Sequence, residues 1–238
     1  MPNEVSLKVK IFADGADING MIEMAEKSII SGLTTNPTLM KKAGITDYSK
    51  FAKVVLGAIS TKPISFEVFS DDLEEMKQQG EEISSWAENV FVKIPITNTK
   101  GDSTRDVISH LVQKGVKVNV TAIMTTKQVL DVVSVLDPEI QSYISVFAGR
   151  VADTGRDPVP LMRDCLEIMK TNRRSELIWA SPRELLNVFQ ADGIGCHIIT
   201  ATTDILKKLS LIGYDLNEYS LDTVKMFYED AKASGYKL

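Results

Sequence analysis

Eight times along this chain a short β-branched run is followed by an amphipathic stretch. The runs lie near Lys8–Asp14, Ile30–Thr34, Pro63–Phe69, Asn89–Ile94, Lys117–Thr121, Ser142–Phe147, Glu176–Ser181 and Cys196–Thr200. Helical patterns follow them over about Asp17–Lys27, Asp47–Ile59, from Asp71 and Asp72 onward, Ser103–Lys114, Thr126–Leu136, Pro158–Met169, Arg183–Phe189 and Thr203–Leu211. Strands joined by helical crossovers pair in parallel, because each crossover returns the chain to the same end of the sheet. Eight such units point to a closed (β/α)8 TIM barrel, with an open doubly wound sheet as the competitor. The 238 residues fit one domain of that size, residues 1–238. A final helix, about Leu221 to Ala233, is left over, as a cap or a subunit contact.

A parallel strand covered on both faces reads as a near-continuous apolar run. Here the runs break toward their C-terminal ends: at Asp14, at Thr34 with Asn36, at Glu67, at Lys93, at Asn119 with Thr121, at Ser145 and at Ser181. Alternate residues of a strand share a face. Thr34 and Asn36, Asn119 and Thr121, and Ser145 and Phe147 therefore pair up wherever the extended conformation continues. One or two such residues are readily explained as helix caps or satisfied core hydroxyls. Seven strands with the same break point to one polar cluster at the mouth of a barrel, where barrel enzymes keep their sites.

Lys93 is the sharpest member, set in Asn89-Val-Phe-Val-Lys-Ile-Pro-Ile96. An ammonium among apolar side chains is costly unless it is paired or loses its proton. Desolvation favours the neutral amine, and a neutral lysine near a ketone forms a Schiff base. An isolated lysine would snorkel to water at the strand end; the surrounding carboxylates and amides favour the buried amine. Asp14 and Glu67 bring acids from two other strands, suited to the proton transfers that imine chemistry needs. Glu67 and Thr121 are placed to hold a water jointly. Taken alone, Asp14 would cap the helix that follows it, although Asp17 is the better candidate for that cap.

Arg150 and Arg183 suggest an anion site. Arg150 ends Ser145-Val-Phe-Ala-Gly-Arg150, and Arg183 lies in Ala180-Ser-Pro-Arg183, at the expected start of a helix. Guanidinium groups hold phosphate bidentately, a helix N-terminus adds backbone donors, and Ser181 offers a hydroxyl. The alternative is a pair of surface ion pairs.

Composition narrows the partners. With 27 basic against 32 acidic residues the formal charge is −5, the wrong sign for a nucleic acid or an anionic membrane surface. The sequence carries no Walker loop, dinucleotide fingerprint or zinc spacing. His110 and His197 read as structural. Cys165 and Cys196 are too few for a disulfide framework. Met1 to Lys10 lacks the basic-then-apolar pattern of a secretory signal, and the apolar runs are too short to span a membrane. A cytoplasmic protein is expected.

Taken together, Phe12-Ala-Asp14, Gly32-Leu-Thr-Thr-Asn-Pro-Thr38, Phe66-Glu-Val68, Val92-Lys-Ile-Pro95, Asn119-Val-Thr121, Ser145-Val-Phe-Ala-Gly-Arg150 and Ala180-Ser-Pro-Arg183 resemble the transaldolase family. The likeness is strongest to its small members, which include the fructose-6-phosphate aldolases. The resemblance implies a class I mechanism needing no metal or cofactor. Lys93 would be the Schiff-base lysine, Asp14 the acid/base at the C4 hydroxyl, and Glu67 with Thr121 the holders of the catalytic water. Thr34, Asn36, Asn119, Ser145 and Phe147 would face the substrate, and Arg150, Ser181 and Arg183 its phosphate. It further implies transfer of a dihydroxyacetone unit from a ketose phosphate, sedoheptulose 7-phosphate or fructose 6-phosphate, to an aldose phosphate. The setting would be the pentose phosphate pathway, in a homo-oligomer.

Aldolases of the family resemble one another in having Gln at the place of Glu67 and Tyr at the place of Phe147. Both residues here follow the transferase side, since a phenol donates a proton and Phe does not. Trp179, Pro182 and the loop Asp153-Thr-Gly-Arg-Asp157 depart from the family pattern. The departures bear on the acceptor sugar. The alternatives are an aldolase releasing free dihydroxyacetone, an enzyme of a specialised sugar pathway, and a non-catalytic sugar-phosphate binding barrel.

Overall fold

The computed structural model describes residues 6–237. Eight parallel strands close into a barrel in sequence order, with the last paired to the first. They are β1 (Lys10–Asp14), β2 (Ile30–Thr34), β3 (Ile64–Glu67), β4 (Val90–Pro95), β5 (Val118–Ile123), β6 (Ser142–Val146), β7 (Ser175–Trp179) and β8 (Ile198–Thr202). The helices are α1 (Ile18–Glu26), α2 (Pro37–Lys42), α3 (Tyr48–Ala58), α4 (Leu73–Ser84), α5 (Arg105–Gln113), α6 (Thr126–Val133), α7 (Ala148–Asp153), α8 (Pro158–Met169), α9 (Leu186–Gly193), α10 (Thr203–Leu206) and α11 (Leu216–Ser234). The (β/α)8 reading holds, and the open-sheet alternative falls with the closing β1–β8 pair.

Local chemistry sets the helix starts. Asp17, Asp47, Asp72, Asp157 and Asp215 each accept backbone N–H groups at a first turn. Thr125 and Gln128 form a capping box. Asp17, rather than Asp14, is the cap of α1, which frees Asp14 for other partners.

Several boundaries differ from the sequence expectation, each for a visible reason. β1 begins at Lys10 rather than Lys8, because the Lys8 and Val9 N–H groups bond to the Asp192 carboxylate. β5 runs on to Ile123 past an irregularity in its pairing with β6, where Ala122 takes a φ of 62°. β7 stops at Trp179, and Ser181, expected inside it, turns away at a φ of 60°. Helix α9 starts at Leu186 rather than Arg183, because the Asn187 side chain takes the Arg183 and Glu184 N–H groups. The short helices α2 and α7 carry no long apolar period and are not foreseen.

The barrel floor is filled. Phe12, Phe91, Tyr143, Ile178, Ala180 and Ile198 form one buried cluster. Phe91 stacks on Tyr143 with ring centroids 4.0 Å apart, and Phe12 meets Tyr143 edge-on at 5.7 Å. Two residues further along the same strands, and so on the same face, come Asp14, Lys93, Ser145 and Thr200. An apolar layer thus supports a polar one.

Residues Leu7–Leu206 make up one compact unit, and the chain from Lys207 onward belongs to a second. Helix α11 begins five residues earlier than expected, at Leu216, because Asp215 accepts the Asn217 and Glu218 N–H groups. Met1 to Val5, which open both the expected domain and the segment read for a secretory signal, lie outside the described residues.

The floor accounts for Gly32, paired in register with Phe12. A Cβ at Gly32 would lie 2.5 Å from Phe12 Cζ, well inside van der Waals contact. The stacked cluster leaves that ring little room to retreat. Gly32→Ala is expected to cost about 1–3 kcal/mol in urea unfolding, the usual penalty of overpacking. An unchanged midpoint would show that the floor yields.

Candidate active site

A cavity of about 540 Å³ opens at the C-terminal ends of the strands. Lys93 enters it from β4 and is only 6% exposed. Its Nζ donates to the Thr35 carbonyl at 3.0 Å and pairs with Glu67 Oε2 at 3.3 Å. Register dictates the ion pair, because Glu67 of β3 lies directly beside Lys93 of β4. Tyr48 steadies the end of β3 by donating its hydroxyl to the Glu67 carbonyl at 2.9 Å.

Asp14 projects from β1 beside Thr34 of β2 and Thr202 of β8. Its carboxylate accepts from Thr34 Oγ1 at 2.8 Å and from Asn36 Nδ2 at 3.4 Å. Thr34 Oγ1 also shares a 2.6 Å hydrogen bond with Thr200 Oγ1. Asn36 is bound twice, since its Oδ1 accepts the Leu39 N–H as the cap of α2. That cap explains the Asn-Pro pair: asparagine caps while proline, with no N–H to satisfy, opens the helix.

Burial dominates the acid–base character of both carboxyls. It pushes Asp14 above the usual carboxylate range, and the Lys93 charge and the Thr34 and Asn36 hydrogen bonds only partly offset it. Glu67 is raised for the same reason, against the pull of Lys93 and with a further push from Asp14. Two acids with raised affinity for protons therefore flank one buried amine.

Thr121, from β5, lines the cavity with a buried hydroxyl that has no hydrogen-bond partner among the described residues. Ser145 lines it from β6 and donates to Asn119 Oδ1 at 2.7 Å. Asn119 itself is fully buried one step below, with its amide nitrogen on Ser65 Oγ at 2.9 Å. Expected on a shared face with Thr121, it faces the barrel interior but does not line the cavity. Phe147 follows β6, packs on the aromatic floor and lines the cavity wall.

Arg150 and Arg183 stand at the rim, both exposed. Arg150, on α7, lies over the Phe147 ring with its guanidinium carbon 5.8 Å from the centroid. Arg183 precedes α9 rather than opening it, so the helix-terminus donors expected beside it belong to other residues. Its Nε donates to Asp153 Oδ1 at 2.9 Å and its Nη2 to Asp153 Oδ2. Ser181 lines the same rim.

Residues 11–238 match the family model described as transaldolase/fructose-6-phosphate aldolase. The chain belongs to that family. A probable transaldolase of Pelotomaculum thermopropionicum is 36% identical over 225 residues, covering 93% of this chain and 97% of the relative. Another, from Dehalococcoides mccartyi, is 34% identical over 202 residues, with 84% and 90% covered. A third, from a Thermoanaerobacter species, is 32% identical over 231 residues, with 97% and 100% covered. Among solved structures, a dihydrodipicolinate synthase from Rhodopseudomonas palustris superposes with a TM-score of 0.57 at 12% identity, covering 82% of this chain and 72% of that one. KGPDC from Streptococcus mutans gives 0.58 at 9% identity, with 85% and 91% covered. These two show the barrel fold alone.

Within this family member, the sequence pattern brings Asp14, Thr34, Asn36, Glu67, Lys93, Thr121, Ser145, Phe147, Arg150, Ser181 and Arg183 around one cavity, and leaves Asn119 beneath it. It does not single out Thr200 and Thr202, which also line the wall. Their signal was present: polar residues two apart at the end of the eighth strand, as in the others. Ser65 and the Thr35 carbonyl, which hold Asn119 and Lys93, leave no such signal. His110 bonds Glu81 on the helical layer, and His197 Nδ1, just before β8, accepts the Leu177 N–H. Among the described residues no group of three or more His, Cys, Asp or Glu is placed to hold a metal ion. No described helix is long and apolar enough to cross a membrane.

A carboxyl raised by folding is a stability liability once ionised. Below its ordinary range Asp14 is protonated in both states and costs nothing. As pH rises toward its raised folded value, the unfolded chain loses the proton first and stability falls. Asp14→Asn removes that penalty while keeping a polar side chain. Its melting temperature is expected to match the parent at acid pH and to exceed it increasingly as pH climbs above the usual carboxylate range, until Asp14 ionises in the folded state as well. A constant gap across that range would rule out burial as the cause.

Proposed function

We propose that this protein is a transaldolase that carries a dihydroxyacetone unit on Lys93 from a ketose phosphate to an aldose phosphate. The observation that carries the reading is a buried lysine amine flanked by two half-buried carboxyls, beneath a rim bearing two arginines. Lys93, once its proton has passed to the paired Glu67 carboxylate, adds to the C2 carbonyl of sedoheptulose 7-phosphate or fructose 6-phosphate. The carbinolamine loses water to give the imine. A water held between Glu67 and the free Thr121 hydroxyl relays the protons of that step, which gives the unpartnered hydroxyl a use. Asp14 then takes the proton of the C4 hydroxyl as the C3–C4 bond breaks. The electron pair runs into the imine as an enamine, and the aldose phosphate leaves. An incoming aldose phosphate reverses these steps. No step calls on a metal or organic cofactor, and the chemistry is that of the non-oxidative pentose phosphate pathway.

The remaining side chains bind and orient. Asn36 and Ser145 face the substrate hydroxyls. Asn119 acts through Ser145, and Thr34 orients Asp14. Arg150, Ser181 and Arg183 take the phosphate. Phe147 favours transfer over release, since it is not a phenol that would protonate the enamine, and Glu67 stands where the family's aldolases carry Gln.

Borohydride added with fructose 6-phosphate is expected to fix a reduced three-carbon adduct on Lys93, read by peptide mass spectrometry. No adduct would leave a sugar-phosphate binding barrel. Lys93→Ala is expected to lose at least about a thousandfold in kcat, as removal of a covalent nucleophile does. Dihydroxyacetone released from fructose 6-phosphate alone as fast as it is transferred would make the enzyme an aldolase.

The homo-oligomer reading finds support in α11, where Leu221, Val224, Phe227 and Tyr228 are exposed at helical spacing. Light scattering is expected to give a multiple of the 26.3 kDa chain mass, and Phe227→Asp to lower it. A monomeric parent would remove this contact.

A further inference from the structure

Asp153 ends α7 and has no part in the chemistry above. Its carboxylate nevertheless grips Arg183, thirty positions away, through both Nε and Nη2. The backbone fixes the two ends of this pair. Gly149, one helical turn before Asp153, lies against Ser181, and a Cβ there would fall 1.6 Å from the Ser181 carbonyl oxygen. The Gly149 N–H also approaches the Ala180 carbonyl at 3.4 Å. On the other side, Ser181 turns at a φ of 60°. The Asn187 side chain then holds the Arg183 and Glu184 N–H groups at 2.7 and 3.2 Å. Helix α7 and the segment from β7 to α9 are thus fastened at the backbone. Arg150 and Asp153, three apart on α7, project from neighbouring positions of its surface.

We propose that Asp153 is a positioning residue that presents Arg183 to the substrate phosphate. This rests on the phosphate reading given under Proposed function. A guanidinium carries five N–H donors on a planar fork. Asp153 occupies the edge formed by Nε and Nη2. The outer edge, Nη1 and Nη2, remains for a phosphate, which accepts in the same bidentate fashion. An arginine already held in place gives up less freedom when the ligand arrives. The carboxylate also repels an incoming phosphate across the same guanidinium, but Arg150 and Arg183 stand at the rim together, two cations against one carboxylate, so the net field still favours the anion. One short helix therefore supplies one phosphate-binding cation and orients the other.

The test compares the parent enzyme with Asp153→Ala and Asp153→Glu. Sedoheptulose 7-phosphate is held saturating, so that erythrose 4-phosphate reports turnover, and the acceptor is glyceraldehyde 3-phosphate or unphosphorylated glyceraldehyde. Asp153→Ala is expected to raise KM for the phosphorylated acceptor about three- to tenfold, the range for ordering one long side chain. The kcat, and KM for glyceraldehyde, should stay within about twofold of the parent's, since neither depends on an oriented Arg183. Asp153→Glu should recover part of the loss. Arg183→Ala serves as the reference. If it fails to weaken the phosphorylated acceptor selectively, the phosphate reading falls and the proposal with it. If it does so while Asp153→Ala leaves that KM unchanged or lowers it, the positioning role alone is overturned.

Discussion

An amine in the wall of a closed barrel is the constraint around which this structure is organised. Removing an ammonium from water costs several kcal/mol even after a protein relaxes around it. Lys93 meets that cost with one carbonyl and one carboxylate at hydrogen-bonding distance, while a second carboxyl stands close enough to feel its charge. Glu67 comes from β3, Asp14 from β1 and the Thr35 carbonyl from just past the end of β2, so the arrangement exists only when the sheet is closed and in register. The Glu67–Lys93 pair is a register statement before it is a chemical one. Shifting a strand by one residue would turn these side chains to the helical layer.

The polar layer survives because an apolar one lies under it. Stacked Phe91 and Tyr143, with Phe12 edge-on, shut the barrel below Lys93 and keep its surroundings poor in water. That exclusion raises the proton affinity of Asp14 and Glu67. Packing thus governs acid–base behaviour here more than any single hydrogen bond does. Burial is the largest influence on both carboxyls, although both sit near a cation.

The barrel and most of its lining were legible because they follow period-two and period-3.6 patterns. A polar residue at the end of an apolar run is visible wherever the run itself is clear. What escaped detection depends on geometry without period. The turn at Ser181, the irregularity at Ala122 and the late start of α9 arise from a positive φ or from one side chain taking backbone donors. Asn119 and Thr121 look equivalent in sequence, yet one is spent on Ser65 and Ser145 while the other lines the cavity. Asp153 reads in sequence as the start of a loop, and only the folded chain reveals that it ends α7 and meets Arg183.

The sealed floor has a kinetic corollary for the proposed reaction. Everything that reaches Lys93 enters by the same mouth through which everything else must depart. The first aldose has to vacate before the second can take its seat, while the three-carbon fragment waits on the enzyme. Such a cul-de-sac enforces turn-taking between donor and acceptor, so double-reciprocal plots should run parallel rather than intersect. It also leaves the stranded enamine shielded from solvent on every side but one.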